Sequence, residues 1–211
     1  EAFRKTHDYL VEHVQVPARR VLQDEINWSD RLIAIKGGRG VGKTDFLLNY
    51  VKEQRRLNPD ESRHTLYVNF NDFYFTEHSL LELAGQFVAA GGKTLLVDQA
   101  FKDPNWSHEL AQCYYRYPNL QIIFIASAVM RLVEDNKDIG SIVHPYNLRG
   151  YSFREYLNIT LGLKLPVYSL EDILKHHVEI AQQICQRVKP LQYFQDYLHH
   201  GYYPLFLEQH D

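Results

Sequence analysis

The sequence predicts an α/β fold: a parallel sheet sandwiched between helices, with a small helical subdomain after it. Three observations point there. Short apolar runs at Arg31–Lys36, Thr65–Phe70, Thr94–Gln99 and Gln121–Ser127 alternate with helical patterns. Two of these runs, around Leu95–Val97 and Ile122–Ala126, are uninterrupted, as strands buried on both faces of a parallel sheet are. From Ser152 onward the chain reads all-helical. Residues 1–150 therefore form the expected core and 151–211 the helical part, with no internal repeat and no low-complexity tract.

Taken in order, residues Tyr9–Asn27 read as an amphipathic lead-in, with Leu10, Val11, Val14, Val16, Val21, Leu22 and Ile26 apolar. Asn27-Trp28-Ser29-Asp30 is a turn before the first strand. That strand runs into Gly37-Gly38-Arg39-Gly40-Val41-Gly42-Lys43-Thr44, which has the form G-x-x-x-x-G-K-[ST], the P-loop or Walker A motif. In the run Thr44–Val51 behind it, Phe46, Leu47, Tyr50 and Val51 share one helical face. The motif thus lies between a strand and a helix. Its glycines allow a tight turn at positive φ. The loop N–H groups and the helix N-terminus can then cradle phosphate oxygens. Gly37 through Asp45 are the expected nucleotide-binding residues. Lys43 is expected on the β- and γ-phosphates, and Thr44 on Mg²⁺ through its hydroxyl.

Arg55–Arg63 reads as a polar loop, followed by the Thr65–Phe70 strand. Ser79-Leu80-Leu81-Glu82 has capping-box spacing and opens a helix to about Val88, closed by Gly91-Gly92. Leu95-Leu96-Val97-Asp98 follows, an apolar run ending in Asp, the Walker B pattern. Asp98 is expected at the strand's carboxyl edge, holding Mg²⁺ directly or through water. Asp103–Ser107 is a turn with Ser107 as the expected helix N-cap. The next strand ends at Ser127, a candidate polar sensor of the γ-phosphate. The other reading of Ser127 is a strand-terminal serine bonding backbone. Arg131–Gly140 reads as a flexible charged loop, and His144–Leu148 as a last strand. Ser152 and Ser169 both have capping-box spacing ahead of helices, and Leu191–His200 forms the last helix, stopped at Gly201. The adjacent pairs His176-His177 and His199-His200 lack metal-ligand spacing and read as solvated.

Bulk composition bounds the function. The 211 residues are 45% hydrophobic and 23% charged, with a formal net charge of −3, so no strong field draws the chain to nucleic acid or an anionic membrane. Cys113 and Cys185 form no CxxC pair and read as two buried thiols in a reducing compartment, the cytoplasm. No leader is visible, and the longest apolar run, near Gln121–Leu132, is too short to span a bilayer. The absence of Met at the start and the stop at Asp211 suggest a fragment of a longer protein.

Walker A, the Leu95–Asp98 strand, Phe101-Lys102-Asp103-Pro104-Asn105-Trp106, Gly150-Tyr151-Ser152-Phe153-Arg154-Glu155-Tyr156-Leu157 and Gly201-Tyr202-Tyr203-Pro204 together resemble prokaryotic AAA-like P-loop ATPases. The resemblance covers nearly the whole chain, and Ser152–Leu157 is its most distinctive piece. It implies a helical subdomain closing over the nucleotide, ATP with Mg²⁺ as ligands, a homo-oligomer, and a further C-terminal region. It also implies a turn near the adenine in the helical part, for which Gly201–Pro204 is a candidate beside the plain reading of a helix stop.

Two departures from the family pattern matter. The resemblance implies Glu after the Walker B Asp, as general base, and this chain has Gln99. An amide cannot take a proton from water, and loss of a positioned base costs roughly 10²–10⁴ in rate. Gln99 reads first as an engineered Glu→Gln trap of the ATP-bound state, and second as a naturally inactive ATPase. Relatives also carry an Arg pair, positioned like an arginine finger, where this chain has Ser141-Ile142. Arg131, Arg149 and Arg154 are its substitutes in principle. Three functions follow in order: an ATPase module whose nucleotide state drives conformational change, a non-hydrolysing nucleotide-dependent switch, and a small-molecule kinase. The catalytic set expected for the first is Lys43, Gln99 and Ser127. The client, protein or nucleic acid, is not written in the residues.

Overall fold

The computed structural model describes residues 2–204, apart from the side chain of Ser62. Of two compact units, the first ends at Arg149 and the second begins at Gly150. The first runs α1 (Ala2–His13), α2 (Leu22–Glu25), β1 (Leu32–Gly37), α3 (Lys43–Leu57), α4 (Pro59–Ser62), β2 (Thr65–Asn69), α5 (Leu80–Ala89), β3 (Thr94–Asp98), α6 (Trp106–Arg116), β4 (Gln121–Ser127), α7 (Leu132–Asp135) and β5 (His144–Asn147). The second holds α8 (Phe153–Leu161), α9 (Leu170–Arg187) and α10 (Leu191–Asp196), the last continued by a wider turn over Tyr197–Gly201.

The five strands form one parallel sheet in the order β2-β3-β4-β1-β5. Alternation along each strand divides its side chains between two faces. Leu32, Ala34, Leu66, Val68, Leu95, Val97, Ile122 and Phe124 face the layer containing Leu83 and Phe87 of α5 and Leu110 of α6. Ile33, Ile35, Tyr67, Leu96, Ile123 and Ile125 face Val11 of α1 and Phe46, Leu47 and Val51 of α3. This three-layer sandwich is the predicted one. Asp98, two residues beyond Leu96, shares the α3 face, and β4 stands between the P-loop strand β1 and the Asp98 strand β3. These two facts position the site.

Both sheet edges are managed. Helix α1 lies along β2 and bonds its backbone: Arg4 Nη1 donates to the Thr65 carbonyl at 2.6 Å, and the Tyr67 N–H donates to His7 Nδ1 at 3.0 Å. The opposite edge strand, β5, carries Pro145, whose ring removes a donor from the ladder. Arg31, just before β1, donates to the Tyr114 and Tyr117 carbonyls at 2.5 and 3.0 Å, closing the carboxyl end of α6, and stacks over the Tyr114 ring.

Capping boxes form at Ser79, Ser152 and Ser169, with the serine oxygen accepting the backbone N–H three residues on and the acidic side chain returning the bond. In the second unit, Tyr151, Tyr156, Leu157, Leu165 and Val188 form a small core, flanked by Phe153, Tyr193 and Tyr197. The 18-residue α9 buries none of its side chains.

Several expectations are corrected. The lead-in is helical from Ala2, because Arg4 and His7 dock on β2; their polar side chains hid the helix from an apolar pattern. Arg55–Arg63 is not a loop: α3 continues to Leu57, and Pro59 then starts α4 at a position where its missing N–H costs nothing. Asn105, not Ser107, precedes α6, since Asp103 Oδ1 accepts the Asn105 N–H and turns the chain earlier. Arg131–Gly140 contains α7 and is anchored by buried Leu132 and Ile139. Cys113 is buried, but Cys185 is exposed because it lies on α9. All four paired histidines are exposed.

Candidate functional site

The site is built around the turn from β1 into α3. A Cβ on Gly37 would stand 2.6 Å from the Leu148 carbonyl oxygen and 2.9 Å from Val41 Cγ2, so no side chain fits there. Gly40 and Gly42 have φ of 83° and 85°, where any other residue would lose roughly 1–2 kcal/mol. Val41 is buried beneath the loop, Gly38 is half-buried, and Arg39 and Gly40 form its exposed tip. Gly42 precedes α3 and has no side chain to cap it. The helix therefore begins with its first N–H groups uncapped by Gly42, the arrangement that suits an anion. Asp45 is exposed on the first turn.

Lys43 Nζ donates to the carbonyls of Gly37 and Gly38 at 2.9 and 2.8 Å. Burial lowers the Lys43 pKa, and the charge of Asp98 opposes that. Thr44, one residue on, donates its hydroxyl to Asp98 Oδ2 at 2.9 Å. The two motif halves, 54 residues apart, are thus joined by a direct hydrogen bond.

Asp98 ends β3 and is only 4% exposed. Its Oδ2 also accepts the Tyr67 hydroxyl at 2.9 Å, and Asn69 Nδ2 donates to that hydroxyl oxygen at 3.3 Å. Burial, and then the charge of Asp98, hold the Tyr67 phenol well above its ordinary pKa, so it stays a neutral donor at physiological pH. The second oxygen, Oδ1, is buried and has no hydrogen-bond partner among the described residues. A buried carboxylate oxygen left this way is costly unless something else satisfies it. A hydroxyl and a carboxylate side by side are hard oxygen donors, which fit Mg²⁺ retaining several waters.

Gln99 follows Asp98 with φ 59° and ψ 26°, alone among the described non-glycine residues at positive φ. Its carbonyl accepts the Lys102 N–H at 3.1 Å, starting a short 3₁₀ turn. Ser127 ends β4 in register with Gly37, and the next N–H, of Ala128, donates to the Gly37 carbonyl at 3.1 Å. The fold therefore brings Lys43, Thr44, Asp98, Gln99 and Ser127 to one edge of the sheet. Arg39 and Asp45 face outward.

A family model described as "AAA domain" matches residues 29–157. The chain belongs to the AAA domain family. No curated protein matches it. Among solved structures, Hsp104 from S. cerevisiae in complex with casein is similar with a TM-score of 0.51 at 11% identity, over 74% of this chain and 31% of that one. C. elegans PCH-2 is similar with a TM-score of 0.45 at 17% identity, over 74% of this chain and 44% of that one. DnaA from Aquifex aeolicus, bound to AMPPCP, gives 0.41 at 15% identity, over 86% and 59%. This AAA domain chain spans less than two thirds of each. The likeness to Hsp104 bears on the fold alone.

The remaining expected residues divide. Arg131 and Arg149 are exposed; the Arg149 carbonyl accepts a bond from Arg20. Arg154 is half-buried, with Nη1 3.5 Å from the Leu165 carbonyl, within its own unit. Gly201 is buried, and the Tyr202 carbonyl accepts the Tyr151 N–H at 2.8 Å, so Gly201–Pro204 ties back to the start of the second unit. Tyr67, Asn69 and His7 were not legible as part of this region. The available signal was strand alternation, which puts Tyr67 and Asp98 on one face once β2 and β3 are paired Tyr67↔Leu96 and Asn69↔Asp98. No helix among the described residues is long and apolar enough to cross a membrane.

Proposed function

We propose that this AAA domain is a Mg-ATP-binding ATPase module that couples its nucleotide state to conformational change, with hydrolysis impaired at Gln99. The observation that carries the reading is the hydrogen bond from Thr44 to Asp98 beside a glycine turn whose carbonyls hold the Lys43 ammonium. The loop N–H groups from Gly38 to Thr44 bind the phosphates, and Lys43 moves its charge from the loop carbonyls to the β- and γ-phosphates. Thr44 and Asp98 hold Mg²⁺, which when bound neutralises phosphate charge. Ser127 lies beside Gly37 and is the candidate to sense the γ-phosphate. Gln99 orients the attacking water by hydrogen bonding but accepts no proton from it.

A second reading follows from Gln99 itself: a nucleotide-dependent switch that does not hydrolyse. In either case self-association into a homo-oligomer is part of the proposal, with exposed Arg131 and Arg149 as the cations such an assembly would present. The test is steady-state ATP turnover of this chain and of its Gln99→Glu variant. Turnover rising about 10²–10⁴-fold, with ATP affinity nearly unchanged, supports the impaired ATPase. Equal turnover in both proteins removes Gln99 from the base position. A Glu codon in the genomic sequence favours the enzyme over the switch.

A further inference from the structure

We infer that Tyr67 is a positioning residue for the metal: its hydroxyl, fixed on Asp98 Oδ2, holds the carboxylate so that Oδ1 remains the oxygen available to the metal's water shell. This rests on the Mg-ATP reading above. Tyr67 is 5% exposed and Asp98 4%, so neither is held by solvent. Oδ2 already accepts two hydroxyls, from Thr44 and Tyr67, each at 2.9 Å. Oδ1 accepts nothing among the described residues. The two oxygens of one carboxylate are thus assigned different work by the protein.

Thr44 alone would not achieve this. Its hydroxyl oxygen is itself an expected metal ligand, so its direction is shared between two demands. Tyr67 has no such second demand. Its ring is packed on the α3 face of the sheet, its backbone N–H is taken by His7, and its phenol oxygen is steadied by Asn69. Groups that orient a metal-binding side chain commonly contribute 10–100-fold to metal affinity.

The experiment compares binding of a fluorescent ATP analogue in EDTA and in Mg²⁺ for wild type, Tyr67→Phe and Tyr74→Phe. Tyr74 provides the control, because its buried hydroxyl has no hydrogen-bond partner among the described residues. The expectation is unchanged affinity in EDTA for all three proteins. Tightening by Mg²⁺ should fall about tenfold in Tyr67→Phe only. Mn²⁺ paramagnetic resonance, titrated in the presence of ADP, should show the same loss without any turnover. Equal Mg²⁺ responses in wild type and Tyr67→Phe overturn the positioning role while leaving the Mg-ATP reading intact. An equal loss in EDTA and in Mg²⁺ also overturns it, as general damage to the site. A wild type that ignores Mg²⁺ overturns both. If Tyr67→Phe does not fold, Asn69→Ala carries the test: a weakened Mg²⁺ response supports the role, and an unchanged one refutes it.

Discussion

Acid should weaken this fold through one histidine. His7 is fully buried against β2, where Nδ1 accepts the Tyr67 N–H, so the ring's proton resides on Nε2. That nitrogen is buried with no partner among the described residues. Burial first, and then the positive charges of Arg4 and Arg55, depress its pKa from 6.5 to about 4. Protonation would also destroy the acceptor that Tyr67 uses. The sign follows from linkage: between pH 6.5 and 4 the unfolded chain binds a proton that the folded chain refuses, so stability falls as pH falls. The contribution is fully present above 6.5 and lost on the way down to 4. Its full size is of the order of 3 kcal/mol, and about 2 kcal/mol should be gone at pH 5 relative to pH 7.5. The assay is urea unfolding across that range for wild type and His7→Asn, whose amide oxygen offers an acceptor near Nδ1 without titrating. The difference between the two proteins isolates His7 from the carboxylates. Parallel pH curves for both would refute the reasoning, as would a wild type steadier at pH 5 than at 7.5.

Three further outcomes are expected. Gln99→Gly should raise stability by roughly 0.5–1 kcal/mol in denaturant unfolding, because it relieves a left-handed non-glycine residue, less the extra backbone entropy of glycine. Ser152→Ala should cost about 1 kcal/mol by removing the acceptor for the Glu155 N–H, measured by thermal unfolding. Gly37→Ala should weaken ATP binding at least tenfold in titration calorimetry, since its Cβ would press on the Leu148 carbonyl oxygen and Val41.

Much of the fold and part of the site were legible because their signals are local. The P-loop is written in eight consecutive residues, the capping boxes in four, and the central strands in unbroken apolar runs. What stayed hidden depends on residues far apart in the chain. Tyr67 meets Asp98 only through the β2–β3 register, and His7 meets Tyr67 only because α1 lies along an edge strand. In sequence Tyr67 is one more aromatic in a strand and His7 one more polar residue ahead of an apolar stretch. The left-handed Gln99 was hidden for another reason: glutamine carries no turn signal, yet the residue takes a φ of 59° directly after the end of β3. Arg55–Arg63 read as a loop from its charges, although its first residues continue a helix whose buried face lies upstream at Phe46–Val51.

The central claim is that one backbone turn grips a triphosphate and that Lys43 and Mg²⁺ both contribute. Equilibrium titration with labelled ATP, in Mg²⁺ and in EDTA, on wild type and Lys43→Met tests it most directly. Saturable binding that Mg²⁺ tightens in wild type, and that drops at least tenfold in Lys43→Met, is the expected result. No uptake by wild type, or uptake that ignores the loss of the ammonium, contradicts it.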